Sequence, residues 1–317
     1  MKPMNHLKSI FLASALILGI SITAHAEINV VSSVKPLHSL VSGVMEGVAR
    51  PDLIVKGSAS PHTYSLRPSQ ARQLEDADLV FWMGHELESF LEQPLEAIAT
   101  KGHIVELIDS SKLKKIKMRE GGMFDAHAHD DHDEHEGHDD HGHGEFDVHV
   151  WLDPENAKVL VDEIKLALIE LDPVNSSKYE SNSNKMNMKL DQLIDEVSKK
   201  LESEQGKGYV VFHDAYQYFE QRFGMSAVGS ITVSPEVVPG ANRIRELKNK
   251  INELNAHCVF SEPQFEPKLV STVIEGTQAN TGVLDPLGAS IKDGPELYYT
   301  LIRNMADSLH ECLSKKD

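Results

Sequence analysis

The sequence predicts an α/β protein of two lobes, each with a mainly parallel sheet flanked by helices, joined by a long rigid linker helix. Short apolar segments alternate with helical ones near both ends of the chain, which is typical of a parallel sheet covered on both faces. Between these regions, no glycine or proline occurs from Val174 to Gln205. We expect residues 27–173 to form the N-terminal lobe, 174–205 the linker and 206–317 the C-terminal lobe.

The N-terminal lobe is predicted from four strand-like runs. They are INVVSS from Ile28, DLIVK from Asp52, DLVFWMG from Asp78 and HIVEL from His103. After the first run, apolar residues recur at a helical spacing, at Leu37, Leu40, Val41, Val44, Met45 and Val48. The amphipathic segments SLRPSQARQLEDA and HELESFLEQPLEAIA separate the later strands, so strands and helices alternate through this lobe.

The C-terminal lobe repeats this alternation. Its strand candidates are YVVF, SAVGS, HCVF and TGVLD, which begin at residues 209, 226, 257 and 281. The helical segments DAYQYFEQRF, ANRIRELKNKINELN and EPKLVSTVIEGTQA lie between them. A last helical pattern, GPELYYTLIRNMADSLHECL, closes the chain, and the whole arrangement predicts a second parallel sheet.

The segment between the lobes contains two helical patterns. PENAKVLVDEIKLALIEL precedes Asp172 and Pro173, and one apolar stripe follows at Met186, Leu190, Leu193, Ile194, Val197 and Leu201. A single helix of about 30 residues would span roughly 45 Å, enough to bridge two lobes. The alternative is two shorter helices broken at residues 181–184, because serine and asparagine are weak helix formers.

The first 26 residues have the features of an export signal. Lys2 and Lys8 form a basic start, an apolar run follows from Ile10, and Ala24-His25-Ala26 matches a cleavage site. The run is shorter than the roughly 20 apolar residues that a membrane span needs. We therefore expect cleavage after Ala26 and a periplasmic protein.

The chain is strongly acidic, with a formal net charge of −18. This charge argues against a nucleic-acid partner, because phosphate binding needs basic patches. It is compatible with attraction of cations. We expect a monomer.

Cys258 and Cys312 are the only cysteines in the sequence. An oxidising compartment favours a disulfide between them, and one that closes so long a loop contributes on the order of 4 kcal/mol in the chain-entropy model. The alternative is a pair of buried thiols. No cysteine lies near the cleavage site, so a lipid-modified cysteine that would tether the protein to a membrane is absent.

Three histidines stand where ligands bind in open parallel sheets, at the carboxyl ends of strands. His62 lies in the loop after DLIVK, His213 directly follows YVVF, and His149 lies just before the helix that opens at Pro154. A lone histidine is usually a surface or core residue, but this shared placement favours a metal site. Asp285, after the last strand, would complete a set of three imidazoles and a carboxylate, which favours Zn²⁺. The alternative for Asp285 is a turn residue.

Four segments in order along the chain resemble a known family. HTYSLRPSQARQLEDADLVFWMGHELE, DVHVWLDPENA, VFHDAYQYFEQRFG and LDPLGASI are similar to the signature segments of the cluster 9 solute-binding proteins, the metal receptors of ABC transporters. The resemblance covers essentially all of the chain after the export signal and is closest to the zinc branch. It implies two α/β lobes joined by a long helix, one metal ion in the cleft between them, and delivery of Zn²⁺ to a membrane permease.

The resemblance also implies roles for particular residues. His62, His149 and His213 match the ligand histidines of the family. Manganese receptors typically have glutamate at the position of His213, so an imidazole there implies zinc. The resemblance further implies that Cys258 and Cys312 form the disulfide of the zinc receptors.

One position departs from the family pattern. Some zinc receptors have a glutamate directly before the first ligand histidine, whereas this chain has Pro61, which has no ligating side chain. The fourth coordination position is then open to Asp285 or to water. We expect water, with Asp285 close by.

A histidine- and acid-rich loop is predicted at residues 123–147, and such a loop is typical of the zinc branch. Its seven histidines are His127, His129, His132, His135, His138, His141 and His143. So few apolar residues cannot offset the entropy of ordering, and the spacing matches no preorganised metal motif. Two interpretations are possible: the loop is a weak collector of zinc, or it is a solvated acidic loop that binds zinc only in vitro. In both, the loop is accessory to the main metal site.

Three functions are weighed on this sequence. The first is a transport receptor that captures periplasmic Zn²⁺ for an ABC permease without chemical turnover. The second is a secreted zinc buffer or chaperone that acts through the histidine-rich loop. The third is a zinc hydrolase, but the chain has no HExxH helix and no G-x-S-x-G elbow. The sequence favours the receptor and predicts no enzymatic activity.

Overall fold

The computed structural model describes residues 28–119, 146–232, 235, 239–254, 256–266 and 268–315. The predicted export signal and most of the histidine-rich loop, with all seven of its histidines, lie outside these residues. Within the described ranges, no helix has both the length and the hydrophobicity that crossing a membrane requires.

The N-terminal lobe is built on a parallel four-stranded sheet in the order β2-β1-β3-β4. The central strands are buried on both faces, as their uninterrupted apolar sequences predict. The strands are β1 Val30–Ser32, β2 Asp52–Leu53, β3 Leu79–Trp82 and β4 His103–Glu106. The helices are α1 Lys35–Val44, α2 Pro68–Asp76 and α3 Ser89–Ile98.

The lobe at the other end of the chain has the same topology, a parallel sheet in the order β6-β5-β7-β8. The strands are β5 Tyr209–His213, β6 Ala227–Thr232, β7 Cys258–Ser261 and β8 Asn280–Val283. The helices are α6 Gln217–Phe223, α7 Ala241–Glu253, α8 Lys268–Ile274 and α9 Leu297–Leu313. All eight predicted strands are therefore confirmed, and so is the predicted fold class.

Two helices join the lobes, α4 Pro154–Leu171 and α5 Ser176–Leu201. Helix α5 is continuous for 26 residues, so the alternative of a break at residues 181–184 is wrong. Tertiary contacts offset the weak helix propensity there. Asn182 donates hydrogen bonds to the carbonyls of Val44 and Glu46, both at 2.9 Å.

The large apolar core runs without interruption from one lobe to the other. It includes Val31 of β1, Leu190 of α5, Tyr209 of β5 and Leu309 of α9. A smaller apolar cluster lies under α7 and α8 in the C-terminal lobe. Because the linker helices share the large core with both sheets, a rotation of one lobe against the other would disrupt close packing.

Hydrogen bonds also tie the two lobes together. Lys35, almost fully buried at the start of α1, donates to the carbonyl of Ile291 at 2.8 Å and pairs with Asp293 at 3.0 Å. The indole of Trp151 donates to the carbonyl of Pro286 at 2.9 Å, and the Tyr298 hydroxyl donates to the carbonyl of Trp151 at 2.6 Å. These bonds fix the loops at the carboxyl ends of the strands relative to one another.

Cys258 and Cys312 are joined by a disulfide, as predicted. Cys258 begins β7 and Cys312 lies in the last turn of α9. The bond therefore fastens the final helix to the sheet of the C-terminal lobe.

Candidate metal centre

Three histidines from separate parts of the chain meet between the lobes. His62 lies in a short 3-10 turn after β2, His149 stands just before α4, and His213 is the last residue of β5. One ring nitrogen from each lies within 4.8 Å of the others, and the Nε2 atoms of His149 and His213 are 3.5 Å apart. Two nitrogens bound to one tetrahedral zinc would be roughly 3.4 Å apart. The arrangement therefore fits a single metal ion with small shifts of the rings.

Two buried carboxylates orient two of these imidazoles. Asp147 Oδ1 lies 2.7 Å from Nδ1 of His149 and accepts the backbone N–H of the same residue at 2.9 Å. Glu262 Oε1 lies 2.8 Å from Nδ1 of His213. Because each carboxylate holds the Nδ1–H, each Nε2 is left as the ligating atom. The two rings are thus preorganised to bind a cation.

Neither carboxylate was singled out from the sequence as part of a site. Asp147 falls in the predicted loop 123–147, but its side chain is 2% exposed and therefore buried. The Tyr218 hydroxyl donates to its backbone carbonyl at 2.7 Å. Glu262 directly follows β7, so the strand-end argument that selected His213 would also have found it.

The protein environment sets the protonation of the cluster. Burial, together with the imidazoles of His149 and His213, holds the pKa of His62 well below its usual value. Burial lowers the pKa of His149 to about 3. Burial also pulls down the pKa of His213, but the neighbouring Glu262 carboxylate more than offsets this and leaves the pKa raised. Burial raises the pKa of Asp147 to about 7.

The histidines open onto a very small cavity of about 10 Å³. That volume is close to the space of one water-sized sphere. Its apolar lining comes from Pro61, Leu87, Trp151, Phe265, Pro286 and Leu287. An ion here would be shielded from solvent, and electrostatic interactions with it would be stronger than in water.

Asp285 holds the turn that follows the last strand. Its Oδ1 accepts backbone N–H groups from Leu287 at 3.1 Å and Gly288 at 2.9 Å, and its Oδ2 accepts that of Ala289 at 2.6 Å. The carboxylate is not part of the group of ligand atoms within 4.8 Å. The structure therefore places Asp285 in the turn that carries the cavity-lining Pro286 and Leu287, the alternative that its Asp-Pro sequence suggested.

The bases of the histidine-rich loop are anchored close to the three histidines. Lys117 and Phe146 form an isolated antiparallel bridge. Arg119 pairs with Asp214, the residue after His213, at 2.8 Å. The loop therefore leaves and rejoins the described structure beside the metal centre.

The fold and the site together define a class of protein, one with two parallel-sheet lobes and a cluster of three histidines between them that could hold a metal ion. Residues 30–312 match the family described as zinc-uptake complex component A, periplasmic, and the chain belongs to that family.

Known relatives are similar over nearly the full chain. The high-affinity zinc uptake system protein ZnuA of Brucella suis biovar 1 is 52% identical, over 98% of this chain and 100% of that protein. The protein of the same name from Yersinia pestis is 37% identical, over 97% and 98%. A structure titled as a 138-173 deletion mutant of ZnuA with zinc bound superposes with a TM-score of 0.76 at 22% identity, over 92% and 100%. At that identity the superposition shows the shared fold alone.

Proposed function

We propose that the chain is the periplasmic receptor of a high-affinity zinc importer, which captures Zn²⁺ between His62, His149 and His213 and delivers it to an ABC permease. The observation that carries this proposal is the convergence of three ring nitrogens within 4.8 Å. The family, and relatives named for high-affinity zinc uptake, support the same function. The family is one of transport binding proteins and not of enzymes, so zinc is cargo here.

The chemistry of the donor set favours zinc over manganese or magnesium. Imidazole nitrogens suit Zn²⁺, whereas manganese and magnesium prefer oxygen ligands. The nearby oxygens of Asp147 and Glu262 are held by the Nδ1 atoms of His149 and His213. We assign the fourth position to a water molecule, which supports release because water is readily exchanged for a ligand of the permease.

The way in which the lobes are joined supports a receptor that rocks only slightly. Helix α5 is unbroken, and both sheets pack on one continuous core. We take residues 27–173, 174–205 and 206–317 as the two lobes and the linker between them. Since the family is periplasmic, we also infer that the mature protein begins after cleavage at Ala26. We infer that it is a monomer.

Protons released on binding test the proposal. At about pH 5.5, His62 and His149 are already neutral because their pKa values are lowered. His213, with its raised pKa, and Asp147, with a pKa of about 7, are protonated. His213 loses its proton to become a ligand, and Asp147 loses its proton because a bound cation nearby favours the charged carboxylate. We expect about two protons per Zn²⁺, and thus an affinity that falls about 100-fold per pH unit in this range, since each proton contributes a factor of ten.

Isothermal titration calorimetry in two buffers of different ionisation enthalpy counts these protons at one equivalent of Zn²⁺. A release close to three protons, about 2.7 for three ordinary exposed imidazoles at this pH, would contradict binding in the cleft. The affinity must fall as the pH falls, because only a neutral imidazole coordinates a metal.

Removal of the orienting carboxylates is a second test. We expect Asp147→Asn and Glu262→Gln each to weaken Zn²⁺ binding by about 10–100-fold, the usual effect of losing a partner that orients a metal-bound histidine. Chelator competition measures the affinity. Asp285→Asn is the matched control, because its carboxylate holds a turn instead of an imidazole, and its effect on affinity should be the smallest of the three. A larger effect for Asp285→Asn would overturn the assignment.

A further inference from the structure

A second group of potential ligands lies in the N-terminal lobe, apart from the three histidines. Within the described residues, His85, Glu86 and Glu106 place one ligand atom each within 4.8 Å of one another. His85 Nδ1 lies 3.3 Å from Glu86 Oε2 and 4.0 Å from Glu106 Oε1. The group lies at the carboxyl ends of the adjacent strands β3 and β4, where Trp82 pairs with Glu106.

The backbone around this group holds it in place. Glu88 is fully buried, and its Oε2 accepts the N–H groups of Met83 at 2.8 Å and Gly84 at 3.0 Å, which fixes the turn that presents His85. The other oxygen of Glu88 makes no hydrogen bond among the described residues. Gly84 has a φ of +146°, and a Cβ there would lie 2.7 Å from Glu106 Oε1. Only glycine lets the Glu106 carboxylate rest against the turn beside His85.

The charges of this group favour a cation. Two carboxylates share one imidazole, and among the described residues their only ion pairs are with His85. Burial and the nearby Asp109 raise the pKa of Glu106, so negative charge is crowded there. The side chains of Glu86 and Glu106 are 30% and 29% exposed, which leaves room for water to complete the coordination of an ion.

We propose that His85, Glu86 and Glu106 form a second, weaker Zn²⁺ site on the rim of the N-terminal lobe. One imidazole and two carboxylates are a mixed nitrogen and oxygen set that zinc accepts. Leu87 of the same turn lines the cavity of the three histidines, so one turn contributes to both groups. The inference rests on its own residues and does not require the cleft site.

Histidine-specific labelling of the full chain tests the proposal. Diethyl pyrocarbonate modifies accessible imidazoles, and mass spectrometry of a digest reports each histidine separately. The imidazole of His85 is 57% exposed and should be labelled strongly in the metal-free protein. We expect Zn²⁺ beyond the first equivalent to abolish most of this labelling. His103 is the matched control, because it is exposed at the opposite end of β4 and should remain labelled.

The carboxylate variants separate a three-residue site from a lone histidine. With Glu106→Gln, and separately with Glu86→Gln, His85 should still be labelled without metal but should lose most of its protection by Zn²⁺. The proposal is overturned if Zn²⁺ leaves His85 labelled when the loop histidines are fully protected, or if protection survives in both variants. His62 in the same digest reports the cleft site, so failure of one site is distinguishable from failure of the other.

Discussion

Replacement of His213 by alanine is expected to abolish tight Zn²⁺ binding, with a loss of affinity of more than about 100-fold. Loss of a residue that merely orients a ligand typically costs 10–100-fold, and loss of a ligand should cost more. The substitution also leaves the carboxylate of Glu262, which is 3% exposed, without its imidazole partner. An unpaired buried charge destabilises the folded protein.

A chelator-competition titration of the protein lacking Met123 to Glu145 measures this loss without the loop histidines. The loopless protein should keep one tight site that His213→Ala destroys. His103→Ala, which replaces an exposed histidine far from the cluster, should leave the affinity unchanged. If tight binding instead disappears when the loop is deleted and does not depend on His213, the protein is a zinc buffer that acts through its histidine-rich loop.

Removal of the disulfide is expected to cost about 2–5 kcal/mol in the free energy of unfolding. The bond closes a loop of 54 residues in sequence and so restricts the unfolded chain, and it ties α9 to β7 in the folded one. Both cysteines are buried, at 0% and 2% exposure. The double variant Cys258→Ala and Cys312→Ala avoids leaving two polar groups in their place.

Urea unfolding of the metal-free protein measures this cost, with the wild type as reference. Zn²⁺ affinity should change little, because neither cysteine contacts the histidine cluster. An unchanged midpoint and slope in urea would contradict a stabilising role of the bond. A large loss of affinity would instead show that the C-terminal lobe positions His213 only when α9 is fastened.

The eight strands and the two-lobed fold were predictable because each strand is a short apolar run between helical segments. The continuity of α5 was less predictable, because the low helix propensity of Asn182 and Ser183 indicates a break. The hydrogen bonds from Asn182 to the end of α1 join residues more than 130 positions apart. Such long-range contacts leave no local signal in the sequence.

His62 and His213 were predictable from their position at strand ends, and all three histidines from the family motifs, whereas no strand directly precedes His149 among the described residues. Asp147 was not predictable, because its sequence neighbours are acidic loop residues and only the folded chain shows that it is buried beside His149. Asp285 was placed near the metal by the same strand-end argument. In the structure its carboxylate accepts three backbone N–H groups of the following turn, and its place beside a bound metal stays a prediction.

An anomalous-difference map at the zinc edge, from crystals of the full-length mature protein with one equivalent of Zn²⁺, tests the central claim most directly. We expect one strong peak about 2.0–2.1 Å from a ring nitrogen of each of His62, His149 and His213, with a water as the fourth ligand. A strongest peak at any other group of residues, with the three imidazoles unliganded, would contradict the account.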